Sequence, residues 1–158
     1  MLTSGTILYI KPDGKLNITP DIGSREVTGR CDAGGKESSN TIPYLVSGGV
    51  IINTASIVGV VGVRNRAAYS LSKGALITLT KNMALDYAPE GIRVNAVCPG
   101  FVETGMTEGL FTDAEKAERI RLMHPLGRFA TADDIAAAVA FLASDEAALI
   151  TGQALAVD

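Results

Sequence analysis

Three short runs of apolar, mostly β-branched or small residues constrain this chain most: Gly49-Val-Ile-Ile-Asn53, Ile92-Arg-Val-Asn-Ala-Val97 and Gln153-Ala-Leu-Ala-Val157. Such near-continuous runs suit buried strands covered on both faces, as in parallel sheets. Between the first two lies Arg66 to Ala88, with apolar residues at Ala68, Leu71, Ala75, Leu79 and Met83 and a stop at Pro89-Glu90-Gly91. Spacings of three and four predict a long amphipathic helix there. Pro99-Gly100 should break the second strand. Asp113–Met123 then reads as a polar helix and Thr131–Ala143 as another, with Thr131 and Asp134 placed as a capping box. Strand, helix, strand, helix, helix, strand implies parallel pairing through right-handed crossovers, hence an α/β layered fold.

The first forty residues read differently. They hold five positive residues (Lys11, Lys15, Arg25, Arg30, Lys36) and five negative ones (Asp13, Asp21, Glu26, Asp32, Glu37), and little that could form a core. Thr6–Ile10 and Lys15–Ile18 flank Lys-Pro-Asp-Gly14, which predicts two strands around a turn, since Pro12 presets φ and Gly14 tolerates positive φ. From Pro20 to Asn40 no period survives, so a loop is expected. The domain division is therefore 1–40, an atypical leader, and 41–158, the structured portion. Cys31-Asp-Ala-Gly-Gly-Lys36 is not a phosphate loop, because Arg30 stands where the first glycine is needed and Glu37 replaces the Ser/Thr.

With 158 residues, 47% of them hydrophobic, one core can form without staples. Lys+Arg 14 against Asp+Glu 17 gives a net charge of -3 with no basic block, which argues against nucleic acid and anionic lipid as partners. Cys31, Cys98 and the single His124 lack metal-site spacing, and a reduced, cytoplasmic setting is expected. The uncharged stretch Ser38–Val63 is long enough to span a bilayer, but Pro43, Ser47, Gly48, Gly49, Asn53, Thr54 and Ser56 favour a buried strand with a polar exit.

In open α/β sheets ligands bind beyond the strands' carboxyl ends. Ser56 follows the first strand, Pro99-Gly100-Phe-Val-Glu-Thr104 ends the second, and Tyr69 and Lys73, four apart, share one face at the helix start. A phenol of ordinary pKa, about 10, is a poor base at neutral pH, but a nearby ammonium favours the phenolate. Ser56 could then hydrogen-bond an oxygen that Tyr69 protonates or deprotonates.

Ser56 stands thirteen positions before Tyr69, the strand carries N-T-A-S, the helix A-A-Y-S-L-S-K-G-A, the next strand R-V-N-A-V-C-P-G-F-V-E-T, and the chain ends I-T-G-Q-A-L-A-V-D. From about Thr41 to Asp158 this closely resembles the catalytic portion of the classical short-chain dehydrogenase/reductase (SDR) family. The resemblance implies a partial Rossmann-like, doubly wound parallel sheet and an NAD(P)-dependent oxidoreductase that interconverts a secondary alcohol and a ketone, with NAD or NADP as cofactor and a small-molecule alcohol or carbonyl as substrate. It implies Tyr69 as acid/base, Lys73 as the residue that favours its phenolate and holds the nicotinamide ribose, and Ser56 as the residue that orients the substrate. It further implies that Pro99, Gly100, Val102 and Thr104 position the nicotinamide, that about Glu103 to Phe129 forms a substrate lid, and that the Tyr69 helix forms a homo-oligomer interface. His124 falls in the lid, where a helix-end or packing role is expected.

The departures concern the cofactor's other half. The family's T-G-x-x-x-G-x-G turn, which brings backbone amides and a helix N-terminus to the diphosphate, is absent from these 158 residues. So are the residue that separates NAD from NADP and the N-A-G segment, while Asn40 lies too close to Ser56 to serve as the active-site asparagine. The pattern resembles the catalytic half of a dehydrogenase behind an altered leader. Weak NAD(P) binding is expected of it alone; the alternative is a truncated or remodelled SDR-derived protein without turnover, acting as an oligomerising or binding module.

Overall fold

A computed structural model describes residues 7–10, 16–18, 48–104, 107 and 112–158. Five strands form one sheet: β1 (Ile7–Ile10), β2 (Leu16–Ile18), β3 (Val50–Thr54), β4 (Arg93–Pro99) and β5 (Ala154–Val157), in the order β2-β1-β3-β4-β5. β3, β4 and β5 pair in parallel, in the register Ile51 to Val94 and Val97 to Leu155. The expected hairpin is present: β1 pairs antiparallel with β2, and its other edge pairs antiparallel with β3, Tyr9 opposite Ile51. The turn at Lys11–Gly14 and the expected loop from Pro20 to Asn40 lie outside the described residues.

Helices α1 (Ala67–Asp86), α2 (Ala114–Arg121) and α3 (Ala132–Ala143) supply the crossovers. Strand alternation sends Ile51, Val94, Ala96 and Cys98 to one face, where they meet Ile77, Ala84 and Tyr87 of α1 and its exit. Val50, Ile52 and Val97 point to the other face, against Leu142, Ile135 and Val139 of α3. Helices on both faces make the sheet doubly wound.

β4 stops at Pro99-Gly100 as expected: Pro99, opposite Val157, is its last residue, where its missing N–H costs the ladder little. One expectation needs correction. β5 is not buried on both faces: among the described residues it is an edge strand with one neighbour, and Leu155 and Ala156 are exposed. The apolar stripe of α1 lies largely on its outer face. Ala68, Leu71 and Ala75 are exposed, and the residues turned to the sheet are Lys73, Ile77, Thr80 and Ala84.

The polar members of that inner face are satisfied. Thr80 accepts a 2.8 Å bond from Asn53 Nδ2 and donates to Leu76 O, and Lys73 Nζ donates to Thr54 O at 3.0 Å. On the opposite face the Arg93 guanidinium donates to the carbonyls of Leu142, Ala143 and Ser144, closing the C-terminal end of α3, where unpaired carbonyls favour a cation. At the other end of α3 the predicted capping box is formed, with Thr131 and Asp134 bonded reciprocally. Arg128 clamps Asp134 with two further bonds and, with those caps, holds its carboxyl well below the usual carboxylate range. None of the helices among the described residues is long and apolar enough to cross a membrane.

Candidate active site

β3 ends at Thr54, and the chain turns at once into a 3-10 turn over Ile57–Gly59. Ser56 is its N-cap: the Oγ accepts the Val58 N–H at 3.4 Å, and the residue is buried. The turn lies directly on α1. A Cβ on Gly59 would stand 2.8 Å from the Lys73 carbonyl carbon and 2.9 Å from the Gly74 nitrogen, so only glycine lets this backbone approach the helix. This contact sets the separation between Ser56 and Lys73, and the sequence reading did not single it out. The glycines lie fifteen positions apart, and no local pattern pairs them.

Lys73 is 7% exposed. Its Nζ reaches back to Thr54 O at the carboxyl end of β3 and stands 5.8 Å from the centre of the Tyr69 ring. Burial lowers the lysine's affinity for its proton, partly offset by Cys98. Cys98 is a free, buried thiol on β4; burial pushes its pKa up against the opposing pull of the Ser56 backbone hydrogen bond and of Lys73, so it is kept protonated and is no nucleophile. Tyr69 is 38% exposed, which leaves it open to a ligand.

The segment after β4 is held from three sides. Gly100 N–H donates to Val157 O at 3.1 Å, Ala130 N–H to Phe101 O at 3.0 Å, and Glu103 N–H to Ala130 O at 2.9 Å, with a parallel bridge between Val102 and Ala130. Thr107 Oγ1 donates to Val102 O at 2.5 Å and accepts the Thr104 N–H at 3.0 Å. Thr107 therefore shapes the Thr104 turn and was missed in the sequence; the available signal was a second threonine three positions on, the spacing of a side-chain-capped turn.

Ser56 and Lys73 thus come together at the carboxyl end of β3, with the Tyr69 ring beside the ammonium and Pro99, Gly100, Val102 and Thr104 on the chain leaving the neighbouring strand. Among the described residues no cluster of three metal-ligating side chains occurs.

A family model described as "Enoyl-(Acyl carrier protein) reductase" matches residues 37–158, which include all of these positions. The chain belongs to the short-chain dehydrogenase/reductase family. The 2-(S)-hydroxypropyl-CoM dehydrogenase 3 of Xanthobacter autotrophicus (strain ATCC BAA-1158 / Py2) is 51% identical over 114 residues, 70% of this chain and 45% of that protein. Among solved structures, a 4-hydroxyisoleucine dehydrogenase complexed with NADH is similar at TM-score 0.68 and 38% identity, over 70% of this chain and 46% of that one. A Beutenbergia cavernae protein described as an NAD(P)-dependent gluconate 5-dehydrogenase, with NADP bound at low occupancy, gives TM-score 0.66 and 44% identity, over 69% and 44%. The chain spans under half the length of each of these three SDR proteins.

Proposed function

We propose that this chain forms the nicotinamide and substrate end of an NAD(P)-dependent oxidoreductase that interconverts a small secondary alcohol and a ketone. The observation that carries the reading is the buried Lys73 ammonium, tied to Thr54 O at 3.0 Å and 5.8 Å from the Tyr69 ring. In this reading residues 1–40 are a leader and 41–158 the catalytic portion, in a cytoplasmic setting. The donor set fits the group it would hold: an ammonium carries three donors and Thr54 takes one, leaving donors for ribose hydroxyls. Pro99, Gly100, Val102 and Thr104 would flank the nicotinamide.

The bound NAD or NADP supplies hydride chemistry. The chain's residues supply the proton and the geometry. Ser56 holds the substrate oxygen; Tyr69 gives that oxygen a proton in reduction and takes one in oxidation; Lys73 places a positive charge where it favours the phenolate. Burying the lysine strengthens that effect, because a charge acts further where water is excluded.

Lys73→Met tests this. Turnover should fall by about 10²-fold or more, the scale of a lost proton-transfer arrangement. Stability should stay within about 1 kcal/mol of the parent, since two effects oppose. Met abandons the Thr54 hydrogen bond, but it also removes a desolvated ammonium. A lysine whose proton affinity is lowered by folding destabilises the fold while charged, and that penalty fades only as the pH rises toward 10.5. Turnover that survives the substitution would contradict the reading.

The exposed α1 stripe fits the homo-oligomer implied by the family. Leu71 is 75% exposed, and with Ala75 and Leu79 it lines a shallow groove on the helix's outer face. A symmetric dimer would cover it. Light scattering at micromolar concentration should give twice the monomer mass for the parent and a monomer for Leu71→Arg; a monomeric parent would contradict this interface.

A further inference from the structure

His124 follows α2 and is 5% exposed, with the rings of Phe101 and Phe129 edge-on to it at 5.8 and 5.7 Å. Its two nitrogens are committed to different parts of the fold. Nδ1 lies 2.9 Å from Ile120 O, an acceptor only, so Nδ1 carries a hydrogen and ties the ring to α2. Nε2 faces two groups of opposite demand: it accepts the Phe101 N–H at 3.3 Å, and Asp158 Oδ1 stands 3.1 Å away. An unprotonated Nε2 can take the amide but only confronts the carboxylate with a lone pair. A protonated Nε2 can donate to the carboxylate but leaves the amide without an acceptor. Gly100 fits the same arrangement, since a Cβ there would stand 1.8 Å from Asp158 Oδ1 and 3.2 Å from His124 Nε2.

We propose that His124 is a positioning residue for the segment Gly100–Thr104: the neutral Nδ1–H ring holds the Phe101 N–H, and on taking a proton it turns Nε2 to Asp158 and releases Phe101. The charged groups around the ring leave this choice to Asp158. On α2, Glu118 and Arg121 pair with each other; in the following loop Arg128 pairs with Asp134 of α3; from β4 and its exit the neighbours are Gly100 and Phe101, which are uncharged. Of the bonds that hold this segment, the one from the Phe101 N–H therefore depends on whether this imidazole carries a second proton. The link to function rests on the proposed reading of Gly100–Thr104 as the nicotinamide-positioning stretch. There, acidification should raise KM for the cofactor more than it lowers kcat.

The test needs no cofactor. In an NMR titration of the full chain from about pH 8 to about pH 5, where histidines change charge, the His124 ring nitrogens should report the Nδ1–H tautomer at high pH. The Phe101 amide should shift with the same midpoint as the ring, and its exchange protection should fall about tenfold on acidification, the factor one typical hydrogen bond supplies. His124→Gln, which offers an uncharged acceptor, should keep the Phe101 amide protected and make it indifferent to pH. A Phe101 amide that stays unchanged while the ring titrates, or an Nε2–H tautomer at high pH, would overturn the proposal in the parent chain alone. Neither result bears on whether the chain is an oxidoreductase, and a chain without turnover leaves both readouts intact.

Discussion

Tyr69→Phe is expected to lower turnover by about 10²–10⁴-fold, the contribution of a positioned proton-transfer group. The substitution removes one oxygen and leaves the ring that stands 5.8 Å from Lys73 Nζ. The residue is 38% exposed, and stability should change by no more than about 0.5 kcal/mol, as for surface positions in general. The loss should appear in kcat, because the proton is transferred in the transition state and the hydroxyl does little to hold the ground state. Initial rates with a secondary alcohol and NAD or NADP, alongside a urea melt, separate the two effects. Unchanged turnover would remove Tyr69 from the mechanism, and a destabilised variant would mean the hydroxyl is structural.

Gly59→Ala should be the most damaging single-methyl change near the site. The new Cβ would meet the Lys73 carbonyl carbon at 2.8 Å and the Lys73 oxygen and Gly74 nitrogen at 2.9 Å, all of them backbone atoms of α1 that no rotamer change can move. Either the 3-10 turn lifts from the helix or the helix shifts, and forced overpacking of this kind costs about 1–3 kcal/mol. Ser56 lies three residues upstream and would move away from Lys73, so turnover should drop together with stability. Gly62→Ala is the matched control, with nothing within 4 Å of its Cβ, and should leave both nearly unchanged. Parent-like urea midpoint and turnover for Gly59→Ala would show that the close approach does not govern the site.

The sequence made the strands and their parallel pairing legible because each is short, apolar and bounded by a turn or helix signal. The capping box was legible for the same reason: Thr131 and Asp134 act over three residues, and the bonds form as read. The hairpin was legible from Pro12 and Gly14, but its docking on β3 was not, since nothing local says which sheet edge is open. The apolar spacing of Ala68, Leu71 and Ala75 marked the face of α1 expected to meet another subunit and left its inner face unread. The true inner face contains Lys73 and Thr80, whose polar groups are matched by Thr54 and Asn53, 19 and 27 positions away. Long-range hydrogen bonds of this kind make a polar residue buriable, and no periodicity detects them. Ser56, Tyr69 and Lys73 were legible only as a pattern. Their separation depends on Gly59, and the shape of the Thr104 turn on Thr107.

The proposed nicotinamide end of a dinucleotide site stands here without a T-G-x-x-x-G-x-G motif for the diphosphate in these 158 residues. The most direct measurement is an NMR titration of the chain with NADH and with NADPH. Shifts should be confined to residues 54–56, 69–73 and 99–104, with an affinity weaker than about 1 mM, or less than about 4 kcal/mol of binding free energy. Shifts that cluster elsewhere, or a micromolar dissociation constant, would contradict it.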